Sequence, residues 1–242
     1  MVVNEICFIN LRCKGTNFFW KHHSFSYKKR LFLHKTHFNV HNAHFINMIK
    51  LAIFASGSGS NAENIARYFQ HSADVVITLI LTNKADAFVL ERAKKMEIPT
   101  VIFSKKELLE SDSLLKLLQK QEIDWVILAG FLLKIPENLL KTYPNRILNI
   151  HPALLPKYGG KGMYGSRVHE AVVAAKEVES GITVHYVNSC YDEGNIIFQA
   201  TCPVLSSDTA NEVAEKVHRL EYDYFPKVID QTIHGMEGLK SY

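Results

Sequence analysis

Asn149 and His151 stand two residues apart in Leu148-Asn149-Ile150-His151-Pro152, where an apolar run ends. On extended backbone, residues i and i+2 leave the same face, so an amide and a titratable ring project side by side. Pro152 and Pro156 then block any continuation of the ladder or of a helix. A neutral donor beside a proton-carrying ring suits a reaction in which negative charge grows on an oxygen. The same residues taken alone are equally a turn that satisfies its own polar pair.

A second group that could do chemistry is Ser56-Gly57-Ser58-Gly59-Ser60-Asn61. It follows the apolar run 50–55 and precedes a helical pattern from Ala62 to Gln70. A strand, a glycine turn and a helix in that order leave free backbone N–H groups and a positive dipole end, which receive an anion. Ser60 or Asn61 is expected to cap the helix and donate to a phosphate. No Gly-Lys-Ser/Thr follows, so this is no Walker loop, and the third glycine of a dinucleotide fingerprint is missing. Two readings stand, a phosphate site and a plain tight turn.

The elements that must position these groups alternate between two periods. Val75 to Leu81, Thr100 to Phe103, Trp125 to Ala129 and Arg146 to Ile150 read as further buried strands. Between them, Asp86 to Met96 is expected to be helical with Phe88, Leu90 and Ala93 inward. Ser104 to Lys120 reads as one amphipathic helix with Leu108, Leu109, Leu114, Leu115, Leu117 and Leu118 as a core stripe. A short helix opens at Pro136 and stops before Pro144, and Val168 to Glu177 reads as another. Gly181 to Val187 alternates like a strand with one polar face, and Asn195 to Ala200 is expected to pair with it antiparallel across Tyr191-Asp192-Glu193-Gly194. Asp208 or Thr209 caps a last long helix, on which Glu221 would ordinarily be a solvated charge. The alternation implies a single α/β domain with a doubly wound, mostly parallel sheet. In such sheets ligands bind beyond the carboxyl ends of the strands, and the turn at 56–61, the loop at 130–135 and the Asn149/His151 pair all fall there. The segment 157–165 has four glycines in nine residues, and reads either as a lid or as a plain surface loop.

Bulk composition adds limits. The 242 residues are 47% apolar and 21% charged, as in ordinary globular proteins. Residues 1–47 hold seven Lys and Arg against Glu5 alone, so the +4 of the chain belongs to them and the remainder sums to −2. That irregular, basic leader reads as a transit peptide, as a nucleic-acid arm, or as translation from an upstream start with the working protein beginning at Met48. No run reaches the roughly 18 apolar residues of a membrane span. The four cysteines form no Cys-x-x-Cys pair, which suits a reduced, cytoplasmic protein.

Gly57-Ser58-Gly59-Ser60-Asn61, Ala129-Gly130-Phe131, Asn149 to Pro156, and Gly181 to Val187 followed by Tyr191 to Gly194 occur in that order. With them, the chain from about Met48 to its end resembles the phosphoribosylglycinamide formyltransferase family, folate-dependent enzymes of purine synthesis in the formyltransferase superfamily. The resemblance implies the seven-stranded formyltransferase fold and transfer of a formyl group from 10-formyltetrahydrofolate to the amine of glycinamide ribonucleotide. It implies Asn149, His151 and Asp192 as the catalytic trio, with Asp192 keeping the His151 ring protonated. By the same resemblance Gly59, Ser60 and Asn61 hold the phosphate and Glu221 the sugar hydroxyls. The pterin would meet Leu132, Leu133, Lys134 and Ile135 beside Asn149, and Lys106, or the adjoining Lys105, would face the folate.

Small-molecule substrates, no metal, no nucleic acid, no membrane and a monomer or homodimer complete the expectation. Residues Lys161 to Gly165 look inserted against the family's usual Lys-Tyr-x-Gly. Two rivals share the trio but add a further domain, a carboxyl-terminal barrel or an amino-terminal regulatory domain. A formyltransferase acting on a sugar-nucleotide amine and a non-catalytic nucleotide binder remain as alternatives.

Overall fold

The computed structural model describes residues 48–235; the readings offered for residues 1–47 lie outside them. In chain order the elements are β1 (Ile49–Phe54), α1 (Ser60–Phe69), β2 (Val75–Thr82), α2 (Val89–Lys95), β3 (Thr100–Ile102), α3 (Lys105–Glu110) and α4 (Ser113–Lys120). They continue as β4 (Trp125–Leu128), α5 (Glu137–Thr142), β5 (Ile147–His151), α6 (Ser166–Ala174), β6 (Glu179–Tyr186), β7 (Ile196–Pro203) and α7 (Ala210–Ile233). The strands form one seven-stranded sheet in the order β3-β2-β1-β4-β5-β6-β7. The first five are mutually parallel, and β6 runs antiparallel to both β5 and β7. The chain winds outward from β1 to β3, then returns to β4 and winds the other way. The crevice of such a sheet opens at the carboxyl ends of β1 and β4, where the order reverses.

Strand β1 shows why the sequence makes two layers. Leu51, Ala52, Ile53 and Phe54 of β1 are all fully buried. Leu51 and Ile53 pack into one core with Ile65 of α1, Val172 of α6 and Val213, Val217 and Phe225 of α7. Ala52 and Phe54 pack into the other with Leu108, Leu118 and Leu139 of α3, α4 and α5. A strand segment covered on both faces has no position left for a polar side chain, which is why residues 51–54 read as a continuous apolar run. In β5 the same alternation sends Leu148 and Ile150 into the first core. Asn149 and His151 therefore share the opposite face, at the carboxyl end of the strand.

The structure departs from the sequence reading in the helices. Helix α2 begins only at Val89, which is fully buried, while Phe88 is 51% exposed beneath the Arg92 guanidinium. Val89 is pinned because its N–H donates to Gly57 O at 3.2 Å, so the helix starts where it docks on the glycine turn. The expected single helix 104–120 is two. Ser104 caps α3 through a capping box with Glu107. Ser111 then turns extended (φ −141°, ψ 159°), its hydroxyl donating to Glu107 O at 2.7 Å, a local bond that competes with the helical ladder. Leu109 is left exposed, while Leu108, Leu114 and Leu118 form the stripe. Helix α6 ends at Ala174, short of Glu177, as Lys176 takes a left-handed φ of 54°. Strand β6 is buried from Ser180 to His185, so its polar face looks into the molecule. Thr209, and not Asp208, caps α7 through a capping box with Glu212.

Candidate active site

At the end of β1, Gly59 occupies the position before α1 with φ 72°, and neither Ser60 nor Asn61 caps the helix. A Cβ on Gly59 would lie 2.4 Å from Val89 Cγ2, so the residue must be glycine for two reasons, handedness and space. The turn is braced from α2 as well: Arg92 Nε donates to Ser58 O at 2.9 Å, and its Nη1 pairs with Glu63 of α1. Hydrogen bonds from Arg67, aided by Arg92, hold the Glu63 carboxyl below its usual range in spite of partial burial. The first turn of α1 thus presents its amino-terminal end with its one acid already paired.

Ser56 ties three carboxyl-end loops together. Its hydroxyl donates to Asn83 Oδ1 at 2.6 Å after β2 and accepts from Leu132 N at 3.1 Å after β4, while its own N–H donates to Gly130 O at 3.0 Å. The side chain is buried, and it fixes the loop on which Leu132, Leu133, Lys134 and Ile135 lie. Leu132 and Lys134 are exposed, Leu133 is half-buried and Ile135 is buried. The Lys134 ammonium stands 5.9 Å from the Tyr191 ring, which joins this loop to the turn that carries Asp192. Lys106 is exposed in the first turn of α3, and three strands separate β3 from β5.

Asn149, His151 and Asp192 converge. Asp192 Oδ2 lies 3.6 Å from His151 Nδ1, and Asp192 Oδ1 lies 3.7 Å from Nε2 of His185 on β6. Asn149 Nδ2 donates to that same His185 Nε2 at 3.0 Å. His185 is 2% exposed, and its Nδ1 donates to Tyr186 O at 2.9 Å, so Nε2 of the neutral ring is the acceptor. Burial, against the pull of Asp192, holds its pKa below the ordinary histidine value. On the far side of His151, Nε2 donates to the main-chain oxygen of Tyr158 at 2.8 Å, and Asp192 Oδ2 accepts from Gly160 N at 2.8 Å. The glycine-rich loop therefore touches two members of the trio through its backbone.

Glu221 is no solvated charge; it is 5% exposed on the inner face of α7. Its Oε2 accepts from Asn61 Nδ2 at 2.9 Å and from His218 Nδ1 at 2.8 Å. The hydrogen bond that His218 donates to Glu221 outweighs burial and raises the His218 pKa. Asn61 Oδ1 and Nδ1 of His169 on α6 are buried without a hydrogen-bond partner among the described residues. Burial, and then the charge of His218, lower the His169 pKa, and the fields of Glu221 and His151 both reach it. A buried amide oxygen left open beside a carboxylate suits a ligand that brings hydroxyl or amine donors.

Sequence reasoning passed over His169, His185 and His218, and placed Ser56 in the glycine turn without its link to Asn83 and Leu132. His185 and Thr183 had a signal, polar residues at alternate positions of a strand otherwise apolar, and His218 had another, its i,i+3 spacing to Glu221. The remaining residues had none, since their roles depend on which loop lies across them.

Comparison with known proteins shows the family and the fold. The profile of the formyl transferases matches residues 49–229. A chloroplastic phosphoribosylglycinamide formyltransferase of Arabidopsis thaliana is 41% identical over 186 residues, 74% of this chain and 64% of that protein. This chain covers 60% of the corresponding protein of Vigna unguiculata, so it spans under two thirds of the length of both plant relatives. The phosphoribosylglycinamide formyltransferase of Haemophilus influenzae is 36% identical over 199 residues, 80% of this chain and 91% of that protein. Among solved structures, the phosphoribosylglycinamide formyltransferase of Streptococcus pneumoniae superposes with a TM-score of 0.68 at 36% identity, covering 77% of this chain and 99% of that one. Glycinamide ribonucleotide transformylase 1 from Symbiobacterium toebii gives a TM-score of 0.71 at 30% identity, covering 78% and 89%.

Proposed function

The chain belongs to the formyl transferase family, and on that footing we propose that it moves the formyl group of 10-formyltetrahydrofolate to the amine of N1-(5-phospho-D-ribosyl)glycinamide, a step of purine synthesis. The observation that carries this reading is the convergence of Asn149, His151 and Asp192 at the carboxyl edge of the sheet. The names of the relatives at 36–41% identity support the acceptor, and nothing about them favours a sugar-nucleotide amine.

The residues fit both substrates. The amino-terminal turn of α1, with Gly59, Ser60 and Asn61, takes the phosphate on backbone N–H groups and dipole. Asn61 Oδ1 and the Glu221 carboxylate offer acceptors to the sugar hydroxyls. The loop Leu132, Leu133, Lys134 and Ile135, held by Ser56, gives the pterin a backbone edge and apolar side chains. Lys106, in the first turn of α3 after the carboxyl end of β3, serves the folate's acidic tail. Bound 10-formyltetrahydrofolate supplies the carbon that the amine attacks.

Asn149 has one amide hydrogen on His185 and one to spare, which meets the charge that grows on the formyl oxygen. His151, with Asp192 opposite its Nδ1, takes the proton that the attacking amine loses and delivers it to the tetrahydrofolate nitrogen as the bond from that nitrogen to the formyl carbon breaks. Among the described residues Cys190 and Cys202 are both free thiols, which suits the cytoplasm, and no helix is long and apolar enough to cross a membrane. The test is to supply both substrates to the full chain and follow release of tetrahydrofolate. Steady turnover is expected, and a folded protein that gives none overturns the assignment.

A further inference from the structure

We infer that the loop 157–160 sets the tautomer of His151 from behind the reaction site, and that Glu177 is the positioning residue that holds the loop to this task. A main-chain oxygen can only accept, so the 2.8 Å contact between Tyr158 O and His151 Nε2 requires the hydrogen on Nε2. Which ring nitrogen carries the proton is set by the bond the other one makes. With Nε2–H committed to Tyr158, the exchangeable site of the neutral ring is Nδ1, the nitrogen that faces Asp192. The same loop fixes that carboxylate, since Gly160 N donates to Asp192 Oδ2 at 2.8 Å. Two members of the trio are thus registered to one short stretch of backbone.

That stretch does not hold itself. Tyr158 has a left-handed φ of 56°, unusual for a residue with a side chain. A Cβ on Gly159 would lie 2.5 Å from Leu155 Cδ2 and 3.3 Å from Asp192 Cβ, so the backbone runs close against Leu155 and Asp192 here. Strain of this kind persists only where the surroundings over-determine it. Glu177 supplies the restraint: its Oε1 accepts from the Tyr158 hydroxyl at 2.9 Å and from Lys157 Nζ at 3.0 Å. Glu177 can reach them because Lys176 has already left the helix, with Glu177 N donating to Val172 O at 3.2 Å. An exposed Lys–Glu pair alone would contribute little. Here the phenol of the residue whose carbonyl meets His151 shares the carboxylate.

This inference rests on the proposed formyl transfer for its kinetic part but not for its spectroscopic part. The experiment uses the full chain with 15N-labelled histidine, the His151 signals being identified by their loss in His151→Asn. At a pH where the ring is neutral, two-bond nitrogen–proton spectra are expected to show His151 as the Nε2–H tautomer. In Glu177→Ala and Tyr158→Phe the signals move toward a tautomer mixture. In both variants kcat falls about tenfold or more with KM within about twofold, as expected for a misplaced catalytic group. Glu177→Gln keeps an acceptor for the phenol and restores most of both. A parent His151 in the Nδ1–H form overturns the inference, and so does a folded Glu177→Ala with parental spectra and kcat. A parent chain without turnover overturns the formyl-transfer reading instead, and the spectra still decide the tautomer.

Discussion

Asn149 and His185 face each other as partners in the β5–β6 register, with the Asn149 amide donating to His185 Nε2 at 3.0 Å. The acceptor exists only while the ring is neutral, and burial keeps it so by lowering its pKa. The orientation of the amide that the proposed mechanism aims at the formyl oxygen therefore depends on the charge of a histidine one strand away.

Acid should break this relationship. Because the folded His185 pKa lies below the ordinary value of about 6.5, its contribution to stability is fully present above that value and is lost as pH falls through the folded one. Protonation puts a hydrogen where Asn149 needs an acceptor, so kcat should fall over the same interval. In His185→Gln the side-chain oxygen can replace Nε2 without titrating. The acid limb of the kcat profile should flatten, and an unchanged limb would remove His185 from this role.

Asn149→Ala should keep the fold and lose activity. One donor missing at a developing oxyanion typically lowers the rate on the order of 10²–10³. Single-turnover rates at saturating substrate check this, with circular dichroism as the control for folding. A loss confined to KM would show that Asn149 binds rather than stabilises charge.

Gly59→Ala tests the anion turn. The new methyl would sit 2.4 Å from Val89 Cγ2 at a backbone φ of 72°. Overpacking of this kind costs about 1–3 kcal/mol, and the left-handed backbone adds to it. Urea melts should show the loss, and KM for the phosphorylated substrate should rise in whatever protein remains folded. Parental stability would mean that α2 can move away from the turn.

His234 lies far from the site and titrates in the opposite sense to His185. Burial works against its charged form, but its hydrogen bonds to Asp230 O and Asp74 and the charges of both carboxylates prevail and raise its pKa. Its contribution to stability is fully present below about pH 6.5 and is lost as pH rises through the raised folded value. Thermal melts of His234→Gln against the parent should differ most at low pH and converge at high pH, with kcat unaffected. A gap that widens with rising pH would contradict the assignment.

Much of this was legible without coordinates. The alternation of buried runs and amphipathic stretches yields the parallel sheet, because a strand segment covered on both faces must be apolar, as Leu51, Ala52, Ile53 and Phe54 of β1 are. The i, i+2 spacing of Asn149 and His151 places them on one face through backbone geometry alone. Helix limits were less legible. Ser111 breaks a stripe of leucines that periodicity would run together, and Val89 rather than Phe88 turns inward because the glycine turn is already docked there.

The layers, the edge on which the chemistry lies and the residue types brought to it are all written in the order of residues along the chain. Those follow from local propensity and from the period of apolar side chains, which act over a few residues. Folding adds that Glu221 is buried and shared by Asn61 and His218, that His185 stands behind Asn149, and that Tyr158 and Gly160 grip His151 and Asp192. Those groups lie up to 160 positions apart in the chain, and their meeting depends on strand order and loop path. Hydrogen bonds have no range beyond contact, so nothing in a one-dimensional pattern reports them until the sheet has closed the distance.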